Sequence, residues 1–138
     1  MRIMSLTRPS LKLTHEAALM LLDSARHAAE AMQVPQCISI VDEGCNLIAF
    51  LRMDGARVSS EASAKAKAMT AAVTGAPTGS LTHERALELA LATGAMTNLP
   101  GGLPIIIDGC LVGGIGIGSG TGDQDRMIAR AALDALGL

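Results

Sequence analysis

The chain has 138 residues and a formal charge of −2; it is 49% hydrophobic and 17% charged, and Phe50 is its one aromatic residue. This composition excludes a disordered chain and leaves no cationic footprint for nucleic acid. Without Trp or Tyr, no stacking platform for single strands or sugar rings can be built.

A first helix is predicted from Thr14, a candidate N-cap, to about Met32. Ala17, Ala18, Leu21, Leu22, Ala25, Ala28, Ala29 and Met32 fall in one stripe, with Asp23, Arg26, His27 and Glu30 opposite. Cys37 to Val41 and Asn46 to Met53 read as two strands around a turn at 42–45, where Gly44 can supply a positive φ. Leu47 to Leu51 is apolar on both alternating faces, as in a strand covered on both sides. Asp54-Gly55 ends the hairpin. A second helix is expected from Ser59 or Ser60 to about Val73, stopping at Gly75, and a third over Leu81–Ala92. The segment 93–102 has room for a short strand. Pro104–Ile107 and Cys110–Ile117 form a second hairpin around Asp108-Gly109. The last helix opens at Thr121 or Gly122 and runs from Asp123 to Leu136, with Asp123 and Asp125 in its first turn.

The length suits one domain, residues 1–138, with its own core. Two hairpins with helices around them imply an α/β chain of the α+β kind, an antiparallel sheet with helices packed on it. Cys37, Cys45 and Cys110 are odd in number and lack C-x-x-C spacing, so neither a disulfide framework nor a zinc site is expected; a reducing cytoplasm fits best. No apolar run reaches membrane-spanning length, because Asp108 interrupts the longest. Arg2, Arg8 and Lys12 precede an apolar stretch, but Asp23 follows it at once, so we read an ordinary first helix rather than a signal peptide. Met4 offers a second start beside Met1. The mean hydropathy of +0.39 leads us to expect a homo-oligomer that covers apolar surface.

The run from Gly113 to Gly122 lacks the second βα unit of a dinucleotide fold and the Lys of a P-loop. Its glycines either let a helix approach the strand backbone or leave free amides from Ser119 to Gly122 as an anion site at the helix start; Gly118, Ser119 and Gly120 are the cofactor-binding candidates of the run. Asp123 and Asp125 weigh against an anion there. Arg52 and Lys67 stand among apolar residues and need partners: either each is held structurally, by an ion pair or a packed stem, or they form a cationic pocket for a carboxylate. No histidine falls in a catalytic dyad or metal-ligand spacing. The methionines, Met20, Met32, Met53, Met69, Met96 and Met127, read as core fillers.

Four signatures occur in fixed order: Arg52-Met53-Asp54-Gly55-Ala56, Lys67-Ala68-Met69-Thr70-Ala71, Pro100-Gly101-Gly102-Leu103-Pro104-Ile105 and the glycine-rich run from Gly113 to Asp125. Together, from about Lys12 to Leu136, they resemble the GlcG/HbpS family, which includes the C-terminal domain of PduO-type proteins. The resemblance implies a profilin-like core of about five antiparallel strands with helices on both faces. It implies a small-ligand-binding protein, with haem or another tetrapyrrole as ligand and a first-helix histidine, His27 or His15, on the iron. One alternative it implies is a cofactor-independent lyase acting on a small carboxylated aromatic such as a hydroxylaminobenzoate, with Arg52, Asp54, Lys67 and Asp125 as the catalytic candidates. Another is an accessory protein of a catabolic operon without its own activity. The family's Gly-Val-Ser-Gly-Gly run corresponds here to Gly116-Ile117-Gly118-Ser119-Gly120, with the serine displaced by one.

Overall fold

The computed structural model describes residues 4–138, so Met1 and Arg2 lie outside the described residues. Four helices and four strands follow in the order α1 (His15–Met32), β1 (Cys37–Asp42), β2 (Leu47–Arg52), α2 (Ser60–Thr74), α3 (His83–Thr93), β3 (Gly102–Ile107), β4 (Cys110–Gly118) and α4 (Gly122–Ala135). The strands form one antiparallel sheet in the order β2-β1-β4-β3. The described residues thus hold four strands rather than about five. Residues 93–101, where a short strand had room, carry no strand; Thr97 and Leu99 amides go to threonine hydroxyls instead of a sheet edge.

The sheet carries helices on both faces. On one, Ile38, Ile40, Ile105, Ile115 and Ile117 pack with Ala18, Leu21, Ala25 and Ala29 of α1 and Ile128, Ala129 and Leu133 of α4. On the other, Cys37 and Val41 meet Ala64, Ala68 and Ala72 of α2. The second contact depends on missing side chains. A Cβ at Gly116 would stand 2.5 Å from the Ala68 amide and closer still to the Ala64 carbonyl; Gly114 meets Ala68 and Ala72 in the same way. An alanine row on the helix therefore lies directly on a glycine row in the strand. This was one of the two roles open to the glycine run.

Caps follow the sequence closely. Thr14 accepts from the Ala17 amide, Thr82 from Arg85, and Thr121 shares a reciprocal capping box with Gln124. Asp108 (φ 51°) and Gly109 (φ 75°) turn the second hairpin, the two left-handed residues that such a turn needs. In the first hairpin the positive φ falls on Cys45 (66°), not on Gly44. The Asp42 carboxylate accepts from the amides of both Gly44 and Asn46, and this bracing fixes the loop.

Two of the methionines expected in the core are not there. Met20 and Met127 are more than half exposed. Helix α3 buries none of its residues, and Leu87 and Leu91 are open to solvent.

Candidate functional site

Where β4 ends and α4 begins, the chain makes a polar cleft of about 350 Å³, lined by Arg57, Ser59, Ser63, Lys67, Ser119, Asp125 and their neighbours. Its floor is an ion pair. Lys67 comes from the middle of α2 and Asp125 from the first turn of α4, with Nζ and Oδ2 2.9 Å apart and side chains 5% and 3% exposed. Lys67 also donates to the Ile117 carbonyl at 2.7 Å. The other Asp125 oxygen accepts from the Gly120 amide at 3.0 Å. The α2 seam against β4 delivers the Lys67 stem to this point, and the Thr121 cap sets the first turn that carries Asp125.

The rim is built by Arg57 and Ser119. The Arg57 amide donates to Ser119 Oγ at 3.0 Å, and its guanidinium donates to the Ser119 carbonyl at 3.1 Å. Ser119 has φ 105°, a conformation that favours glycine. The family's run places a glycine at this position, so the displaced serine trades backbone strain for its contact with Arg57. Ser59 stands at the N-cap of α2 but makes no capping bond. The Ser60 and Glu61 amides are satisfied by the carbonyls of Arg57 and Val58, which leaves the Ser59 hydroxyl free at the cleft. Behind Gly120 the Gln36 side chain is fully buried; its oxygen accepts from the Gly120 amide, and its Nε2 has no partner among the described residues.

The charged residues singled out in the sequence separate into a pair and two singles. Lys67 and Asp125 meet. Arg52, at the end of the edge strand β2, is half exposed and pairs with Glu61 at 3.3 Å. Asp54 is exposed in the turn that follows. The cation beside Lys67 is Arg57, for which no sequence feature argued: a lone Arg after a turn looks like any surface residue. Gln36 was equally silent. The acids counted against an anion also change meaning, since the Asp125 charge is matched by Lys67 and exposed Asp123 pairs with Arg126.

The histidines are elsewhere. None lines the cleft or the larger apolar grooves beside α2 and α4. His27 lies on the open side of α1, its Nδ1 2.9 Å from the Asp23 carbonyl and 3.3 Å from the Asp23 carboxylate. A neutral ring in this position donates from Nδ1 and leaves the Nε2 lone pair facing outward. His15 instead directs Nε2 at Glu16, 3.4 Å away. His83 is exposed at the start of α3. Burial pushes the Cys37 and Cys45 thiols upward in pKa, which favours the protonated thiol over the thiolate. The described residues hold no cluster of metal-ligating side chains and no helix long and apolar enough to cross a membrane.

An antiparallel sheet between one helix and a helix pair, with a glycine-rich strand running into a charged cleft, defines the class as a small α+β domain with helices on both faces of its sheet. Residues 13–134 match the family described as haem-degrading protein HbpS-like, and the chain belongs to that family. It is 32% identical, over 88% of its length and 94% of the relative's, to an uncharacterised 15.0 kDa protein of the dhaT-dhaS intergenic region of Citrobacter freundii. A double mutant of HbpS from Streptomyces reticuli superposes with a TM-score of 0.87 at 34% identity, covering 100% of this chain and 96% of that one. A PduOC–haem complex superposes with a TM-score of 0.84 at 31% identity, covering 92% and 96%.

Proposed function

We propose that this protein binds haem or a closely related tetrapyrrole, with His27 as the axial ligand, on the exposed face of α1. The observation that carries the reading is the Nδ1 contact of His27 with the Asp23 carbonyl. A ligating histidine donates its other ring N–H to a carbonyl or carboxylate, which sets the tautomer and raises the basicity of the ligating nitrogen. His27 makes that hydrogen bond, to a carbonyl, whereas His15 Nε2 stands 3.4 Å from the Glu16 carboxylate without making one. Half-exposed Leu19 and Met20 lie two turns before His27 on the same helix and supply apolar surface for a flat ligand. The 31% identity to a protein solved as a haem complex supports the same ligand class.

The fit has one requirement. His27 lies outside the cleft and the grooves described above, so a haem held there needs a second protein surface over its other side. We therefore read the protein as a homo-oligomer, in keeping with the uncovered leucines of α3. Three free thiols suit a reducing compartment such as the cytoplasm. When bound, the haem supplies the iron chemistry; the chain's own part is to present Nε2, hold the ring through Asp23 and exclude water with apolar side chains.

Hemin titration followed at the Soret band tests this. Saturable, stoichiometric binding is expected for the wild type and for His15→Ala, with the Soret maximum displaced and affinity lowered in His27→Ala. A His27→Ala spectrum identical to that of the wild type removes His27 as the ligand. A weak shift that does not saturate removes haem as the ligand.

A further inference from the structure

The cleft between α2 and α4 is chemically unlike the α1 surface, and the haem reading does not use it. Its components are those of an anion receptor whose own acid is already neutralised. Both oxygens of Asp125 are occupied, one by Lys67 and one by the Gly120 amide. Arg57 makes no ion pair among the described residues, whereas Arg126 and Arg130, beside the neighbouring groove, are each paired with an aspartate. The cleft lining thus carries one unmatched positive charge.

Donors converge on the same space. Lys67 is 5% exposed and lines the cleft, yet only two of its three N–H bonds have acceptors among the described residues. An ammonium donor buried to this degree and left without an acceptor is costly unless something else accepts from it. Arg57 spends one donor on the Ser119 carbonyl, and the rest of its planar fork is unoccupied. The Ser59 hydroxyl, released from capping, and the Gly122 amide at the start of a 14-residue helix complete the set. Leu99 and Pro100 contribute apolar surface to the same lining.

We propose that this cleft binds a small organic monocarboxylate: the carboxylate between Arg57 and Lys67, its apolar body against Leu99 and Pro100. A single positive charge matches a monoanion better than a dianion, and inorganic phosphate near neutral pH is a mixture of the two. A planar guanidinium fork matches a planar carboxylate. The volume, about 350 Å³, lies near the lower end of ordinary small-molecule sites and suits a ligand of one ring or fewer.

The full chain without hemin is titrated with benzoate, and amide shifts are followed by NMR. Benzamide serves as the uncharged isostere and inorganic phosphate as the competing anion. Saturable shifts at Ser59, Ser119, Gly120 and Gly122 are expected with benzoate, and at least about 10-fold weaker binding with benzamide or phosphate. Arg57→Gln should lower benzoate affinity about 10-fold or more while leaving the circular dichroism and hemin titration unchanged. Lys67→Arg, which keeps the charge paired with Asp125, should fold and bind. Benzoate shifts located elsewhere, equal binding of benzamide, undiminished binding by Arg57→Gln, or phosphate binding as tight as benzoate each overturn the assignment. Because the probe needs no haem, its failure leaves the His27 reading intact, and a failed hemin titration leaves this one intact.

Discussion

Lys67 and Asp125 are 58 residues apart in sequence, and their charged atoms are 2.9 Å apart beneath the surface. They join the middle of α2 to the first turn of α4 across the end of β4, and the Ile117 and Gly120 backbone groups complete the network. Breaking such a pair on one side leaves a buried charge without its counter-ion.

Lys67→Met should therefore destabilise the fold by about 3–5 kcal/mol. Adding Asp125→Asn removes the stranded charge while leaving an oxygen for the Gly120 amide, and should recover more than half of that loss. Urea denaturation of the two variants checks this. A double variant no more stable than Lys67→Met would show that the charge is not the cause.

Gly116→Ala places a methyl group against the backbone of α2. Neither surface has a side chain that can swing away, so the helix must shift. We expect a loss of about 3 kcal/mol, at the upper end for overpacking. Gly109→Ala is the control: its added Cβ meets nothing within 4 Å, so its cost comes only from the left-handed backbone and should be about 1 kcal/mol.

Ser119 separates strain from contact. Ser119→Ala keeps φ 105° and loses the hydroxyl that accepts from the Arg57 amide; it should cost about 1 kcal/mol. Ser119→Gly loses the same contact but relaxes the backbone, and should melt above Ser119→Ala. If the alanine variant melts higher, the positive φ carries no strain.

Asp42 predicts an acid response. Burial pushes its carboxyl upward, but hydrogen bonds from the Asn46 amide and side chain and the Gly44 amide outweigh this, and the folded pKa lies below the ordinary value. A depressed folded value means that the group stabilises the fold above its unfolded pKa, and that this contribution disappears as pH falls through the folded one. Asp42→Asn should flatten the decline of the urea midpoint between about pH 5 and pH 2. An unchanged acid limb would contradict this.

The uncovered apolar face of α3 bears on assembly. Replacing both Leu87 and Leu91 with Glu should leave the circular dichroism of the domain unchanged and lower the mass seen by sedimentation. The same mass in wild type and variant would show that α3 is not a subunit contact.

Most of the architecture was legible in the sequence because it rests on local chemistry. Thr14 and Thr121 announce helix starts, and Asp108-Gly109 announces a turn. The alternating Ile-Gly pattern of β4 shows its two faces. The cleft was legible only in part. Lys67 and Asp125 could be suspected as charges in unusual company, but nothing local says that they meet. Arg57 and Gln36 act through contacts 62 and 84 residues away, which a reading of neighbours cannot reach. The strain at Ser119 was foreshadowed by the family's glycine at that position.

The glycine–alanine seam between β4 and α2 has a consequence for how the domain can diverge. A helix seated on side chains can re-seat when those side chains change, and its cargo moves with it. Here main chain rests on main chain, so α2 has one height above the sheet and one rotation about its axis. The ammonium of Lys67 inherits that fixity. Residues around the rim can be exchanged, altering what the cleft accepts, without moving the charge at its base. The domain thus keeps an invariant foundation beneath an interchangeable mouth, an arrangement in which new ligand preferences can arise by changes at the rim alone.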